Sequence, residues 1–320
     1  MVEAIYQGTA GVGLLNSWDI NAIPLDISRD PVVLNQIFQA TQNYKPFPQF
    51  GAVNLYSNFV HNTYHSGTLR VERRFTAGMS LLALYTFSKA LDENDADGSA
   101  SGITYYNRRL EKGRAGYDVR HRYLNLLTYE LPVGRGRRWL NRGGVLNQAL
   151  GGWEVTWPLT LQSGPPTTVT FAGSPNRYLP GASRPNALVP MEQAVVQGWG
   201  PGPNRFPTSA QNPYLRFDAF AYPAAFTPGT LGRNTFESPG MSWVQLTVSK
   251  SWFFFGERLK GTLRADFNNL PFKQPEFATP NSVYNANSPL TFGRFTSLLG
   301  PFASIGTSRP HIIMGARIQF

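Results

Sequence analysis

Apolar and polar residues alternate with period two in several separate stretches of this chain. From His311 to Phe320, Ile312, Met314, Ala316, Ile318 and Phe320 fall on one face, and His311, Ile313, Gly315, Arg317 and Gln319 on the other. Such a segment is a strand with one face in an apolar medium. The alternation is cleanest from Trp153 to Gln162, where Trp153, Val155, Trp157, Leu159 and Leu161 oppose Glu154, Thr156, Pro158, Thr160 and Gln162. Similar patterns run over Thr63–Phe75, Met79–Phe87, Asp118–Pro132, Trp243–Trp252 and Leu259–Asn268, and Met1–Gly8 reads as the end of a further strand. In Met79–Phe87 the polar side also carries Leu82 and Leu84.

The connections sort by length. Phe75–Gly78, Phe254–Arg258 and, less tightly, Pro132–Gly152 are short, whereas 9–60, 90–113, 164–240 and 271–308 are long. An antiparallel meander puts all short turns at one end and all long loops at the other. Within the first long segment, Asp30-Pro31 is placed to start a short helix carrying Val33, Leu34, Ile37 and Phe38. Tyr129, Trp153, Trp252 and Phe320 fall near the short-turn end of the apolar faces, where an interfacial aromatic belt would sit. Arg70, Glu72, Arg120, Arg122, Arg264 and Asp266 lie on the polar faces. The expected fold is all-β: an antiparallel transmembrane β-barrel portion of about eight strands, with short periplasmic turns and long extracellular loops. A soluble lectin-like β-sandwich is the alternative if a second protein layer covers the apolar faces.

Composition agrees with a barrel. Charged residues make up 15% of the chain, against about 25% in ordinary soluble domains, and aromatics 13%. The net charge is +10, but the arginines are scattered or gathered in the Arg135–Arg142 turn, which is no nucleic-acid footprint. With no cysteine, disulfides and thiolate metal sites are excluded. No uninterrupted apolar run is long enough for a spanning helix, and the first residues lack the pattern of an export signal. Met1 already falls in a strand pattern, so the natural protein is expected to begin upstream.

The segments LRVERRFTAGMSLLALYTFSKALD (69–92), YDVRHRYLNLLTYELPVGRG (117–136), GGWEVTWPLTLQSGPPTTV (151–169) and LGRNTFESPGMSWVQLTVSKSW (231–252) follow one another in an order that resembles a known family, as do RLKGTLRADFNNLPFKQPEF (258–277) and the closing GARIQF. The chain is similar to the carboxy-terminal barrel of a TonB-dependent outer-membrane receptor. It is nearest the Oar-like group, whose members usually carry a carboxypeptidase-regulatory-like domain upstream. The resemblance implies energy-coupled uptake of an unidentified ligand across a Gram-negative outer membrane. Its implied partners are outer-membrane lipid, the barrel-assembly machinery, and TonB acting through a plug that has no counterpart in residues 1–320. Gly315, Ile318 and Phe320 match the family's terminal assembly signal, although Ile313 stands where a polar residue is usual. The runner-up from another class is a self-standing barrel with an adhesive or structural role; an outer-membrane hydrolase is a third reading.

No chemistry of another kind is legible. Asp118, Arg120, His121 and Arg122 cluster, but His121 lies across the strand from Asp118, and no histidine has a catalytic constellation. Gly8, Gly11 and Gly13 resemble a phosphate loop only superficially. Glu93, Asp95, Asp97 and Gly98 fit half of an EF-hand loop, yet Thr104 stands where the bidentate Glu belongs, so a solvated loop is expected. No catalytic, cofactor or metal residue is assigned. Trp199, Tyr214, Phe217, Tyr222 and Phe226, in the longest loop, are the candidate ligand contacts; packing of that loop on itself is the favoured alternative.

Overall fold

The computed structural model describes residues 1–23, 32, 36, 40–95, 107–134, 136–141, 144–172, 184–196, 213–224, 227–254, 258–268, 280–294 and 311–320. Its frame is a single sheet of eight long strands: β1 (Val2–Asp19), β2 (Asn54–Thr76), β3 (Met79–Asp92), β4 (His121–Glu130), β5 (Trp153–Gln162), β6 (Met241–Phe254), β7 (Leu259–Asn268) and β8 (His311–Gln319). They pair in chain order and antiparallel throughout. The two-residue strand Gly113–Arg114 adds to the far end of β3.

Register turns the alternation of each strand into two faces. Met314, Ala265, Val248, Val155, Tyr129 and Met79 form one continuous cross-strand row. Leu161, Tyr123, Tyr85, Leu69 and Ala4 form another on the same side. Because side chains alternate at period two, a slip of one residue anywhere would send apolar side chains to the wrong face. Leu69, Phe87, Trp157, Leu161, Leu263, Met314 and Ile318 on this face are exposed, so among the described residues no second sheet covers it. The opposite face carries a row of Gly315, Arg264, Ser249, Glu154 and Glu130. Hydroxyls meet across strands on that side, Thr68 with Thr86 at 2.9 Å and Ser251 with Thr262 at 3.2 Å.

β2 and β3 are joined by Ala77 and Gly78, with φ of 54° and 79°. Two successive positive φ values give the type I′ turn whose twist suits a hairpin. The Pro132–Gly152 connection is not tight; it holds a short helix, α1 (Val145–Leu150). Residues 255–257 of the third short turn lie outside the described residues.

One expectation is corrected. Residues 9–60 are not irregular throughout: β1 continues to Asp19 and β2 begins at Asn54. The ladder is broken between Val12 and Leu14, where Gly13 has φ +67°. A bulge of this kind shifts which residues point to which face, so a period-two reading loses the strand as it passes through. Val33, Leu34, Ile37 and Phe38 of the expected helix lie outside the described residues.

β1 and β8 are the two edges of the sheet, and no ladder joins them among the described residues.

Candidate functional site

The long loops gather at the end away from the short turns and form a hydrophobic core of their own. Val169, Phe171, Ala194, Tyr214, Leu215, Ala219, Phe220, Leu231, Phe236, Tyr284 and Phe292 are buried together. Three two-residue ladders tie the loops: Asn186–Ala187 with Phe220–Ala221, Phe236–Glu237 with Pro166–Thr167, and Val283–Tyr284 with Thr170–Phe171. Backbones meet closely here. A Cβ on Gly164 would lie 1.7 Å from the Ser238 carbonyl oxygen, so only glycine fits.

This core takes up three of the five aromatic residues singled out as ligand contacts, Tyr214, Phe217 and Tyr222. Tyr214 is buried, and its hydroxyl donates to the Glu237 carbonyl at 2.7 Å. Phe217 stacks on Tyr284 with ring centroids 4.4 Å apart. Tyr222 meets Phe171 edge-on at 5.5 Å and donates to the Ala172 carbonyl at 3.2 Å. Trp199 and Phe226 lie outside the described residues.

Beneath this cap an ionic network fastens the loops to the sheet. Arg233 pairs with the Asp92 carboxylate at the end of β3, and donates to the Asp92 carbonyl and, through Nε, to the Glu111 carbonyl, both at 2.8 Å. It also lies 2.9 Å from Asp95. Asn234 donates to the Arg114 carbonyl at 2.7 Å and exchanges hydrogen bonds with Thr168. Arg114 Nε donates to Asp118 at 2.8 Å, while the other Asp118 oxygen accepts from the Ala90 N–H at 2.8 Å. Arg184 and Glu111, both buried, pair at 3.0 Å. Two of the acidic residues considered for calcium are thus engaged with arginine, Glu93 with Arg108 at 2.6 Å and Asp95 with Arg233. Asp97, Gly98 and Thr104 lie outside the described residues. His121 bonds to the Tyr85 hydroxyl at 2.8 Å, apart from Asp118.

Spacing gave no hint of this network. Arg184 and Glu111 are 73 residues apart, and Arg233 and Asp92 are 141 apart, in loops without a period. The only signal is charge in an otherwise Pro/Gly-rich segment.

Two titrations report on the cap. Burial, aided by the Glu237 carboxylate, pushes the Tyr214 phenol up to about 12. The neutral phenol is the form the core favours, so this contribution is complete below the ordinary value of 10.0 and is lost as pH rises through about 12. At Asp95 burial acts upward, but the Gly116 N–H, Arg233 and Asn234 outweigh it and hold the carboxyl below 3.8. Its contribution is therefore complete above 3.8 and fades as pH falls through the lower folded value. Phenolate absorbance should show one tyrosine ionising near pH 12, with protease cutting of the loops rising over the same window. Loop cutting that rises before that tyrosine ionises would contradict the assignment.

The face inside the curve of the sheet is charged, and part of that charge is paired within single strands. Arg70 lies 2.6 Å from Glu72 and Arg264 2.8 Å from Asp266, each pair on one strand two residues apart. In the middle of this face is an apolar island. Leu82 pairs across strands with Leu126, Leu84 with Leu124, and Leu126 with Pro158.

An exposed apolar outer face, a charged inner face and long loops at one end together define the wall of an outer-membrane β-barrel. A family model described as an outer membrane beta barrel domain matches residues 1–305, and the chain belongs to that family. Its apolar face meets lipid, and its place is the outer membrane. No curated protein matches the chain, and no solved structure matches it.

Proposed function

We propose that this chain forms part of the barrel of a TonB-dependent receptor of the Oar-like group, importing an unidentified ligand with energy supplied from the inner membrane. The observation that carries this reading is the island of Leu82, Leu84, Leu124, Leu126 and Pro158 on the inner face. In a water-filled pore these side chains would stay wetted at a cost; a domain packed inside the barrel covers them. The two sheet edges, which no ladder joins among the described residues, support a barrel larger than these eight strands, because hydrocarbon cannot satisfy their backbone groups. In this reading residues 1–320 are the carboxy-terminal barrel portion, TonB acts through the plug, and Gly315, Ile318 and Phe320 of the last strand address the assembly machinery. The role is transport rather than catalysis, with no cofactor.

The packed loop cap favours one second reading, a barrel whose outer surface serves adhesion or structure. The two separate on retention by TonB. A protein carrying this barrel, extracted from native outer membranes, is expected to bind the immobilised periplasmic domain of TonB and to contain a folded domain inside the barrel. Recovery of a 35.5 kDa chain that TonB does not retain would leave the adhesive reading.

A further inference from the structure

Among the described residues, the lipid-facing side carries one enclosed cation. Lys250 is on the apolar face, opposite Trp153 on β5 and Leu263 on β7, near the short-turn end of β6. It is only 3% exposed. Its ammonium donates to the Gly151 carbonyl and lies 5.6 Å from the Trp153 ring and 5.4 Å from the Trp252 ring. Among the described residues no carboxylate pairs with it.

The pattern extends to the whole face. Away from the bulged end of β1 and β2, the other ionisable side chains pointing outward among the described residues, apart from tyrosine, are His61, His65, Arg73, Lys89 and His121, with no carboxylate. Arg73 is near the short-turn end of β2, Lys89 and His121 are near the loop ends of β3 and β4, and His61 and His65 lie farther along β2. Arg73 and Lys89 are exposed and can reach water. Lys250 is different, because the two indoles and α1 enclose it. α1 fixes those rings: the Gln148 carbonyl accepts from the Trp252 indole at 3.1 Å and the Ala149 carbonyl from the Trp153 indole at 3.2 Å. Val145, Leu146 and Leu150 of α1 remain exposed, as on a helix lying in a membrane interface.

Next to the ammonium is a groove of about 420 Å³, lined by Trp153, Trp252, Leu263, Ala265 and Phe267. Gly261, opposite Trp252, and Ala265 keep its floor low. An enclosed ammonium with one backbone acceptor retains two N–H donors. The indole faces offset part of its lost hydration but supply no counter-charge.

We propose that this groove holds an anionic phospholipid of the inner leaflet, its phosphate on Lys250 and an acyl chain along Leu263, Ala265 and Phe267. The groove lies at the periplasmic end of the barrel, which selects the phospholipid leaflet. The site does not depend on energy-coupled import and would serve an adhesive barrel equally.

The test uses the protein that carries this barrel, extracted from native outer membranes into detergent with equal amounts of phosphatidylglycerol and phosphatidylcholine and read by native mass spectrometry. One lysine near a headgroup is worth about a fivefold preference for the anionic lipid. That preference should appear in the unaltered chain, persist in Lys250→Arg and vanish in Lys250→Gln. Equal retention of both lipids by the unaltered chain overturns the site, as does an undiminished preference in Lys250→Gln. Should Lys250→Gln fail to fold, Ala265→Trp fills the groove with the lysine in place. Loss of retained phosphatidylglycerol then supports the site, and unchanged retention overturns it.

Discussion

Arg233→Leu is expected to release the outer loops from the sheet while leaving the strand ladders intact. Arg233 is the hub: one guanidinium holds the Asp92 carboxylate, two carbonyls and Asp95. The Asp92 side chain is 3% exposed and that of Arg233 10%, so solvent screens this pair little. Removing one partner of a buried pair costs about 3–5 kcal/mol, mostly because the other charge is stranded. Protection of residues 213–240 against hydrogen exchange should collapse, while protection of β4 to β7 remains. Adding Asp92→Asn should recover part of the loss, since the buried carboxylate is then removed and the acid still deprived of Arg233, Asp95, has a side chain 41% exposed. Native-like protection of the loops in Arg233→Leu would mean that the aromatic core alone holds the cap.

The second large effect contrasts neighbouring positions on β5. Leu159 points to the lipid side, in line with Asn125 and Val244, and Thr160 to the inner side. Leu159→Arg should cost about 2–4 kcal/mol in lipid vesicles, the range for a cation on the lipid face near the midplane. Thr160→Arg should stay within about 0.5 kcal/mol, like an ordinary surface substitution. Urea titration of the vesicle-inserted protein measures both. Equal costs at the two sites would mean that the outer face is not in hydrocarbon.

How far the sequence discloses this molecule depends on period. β5 and β7 fall on the boundaries that the alternation marks, because their apolar faces lie in lipid for the full length. The alternation of β1 fades after Gly8, where Thr9, Ala10 and Gly11 give little contrast between faces, and the bulge at Gly13 then inverts it. The cap has no period at all. Its core is assembled from two-residue ladders and aromatic residues far apart in the chain, so composition marks Tyr214, Phe217 and Tyr222 but not the way they face. Leu82 and Leu84 are the informative exception. They break the polar pattern of their strand, and register later places them beside Leu124 and Leu126.

The pairing of Arg70 with Glu72 and of Arg264 with Asp266 within single strands has a mechanical consequence. In these two strands the arginine brings its own neutralising partner, so a surface gliding along that part of the inner wall meets short dipoles instead of a fixed monopole. Contacts made there can be exchanged for equivalent ones a step further along without leaving a bare ion behind. The wall is thereby suited to a body that shifts inside it as well as to one that stays put.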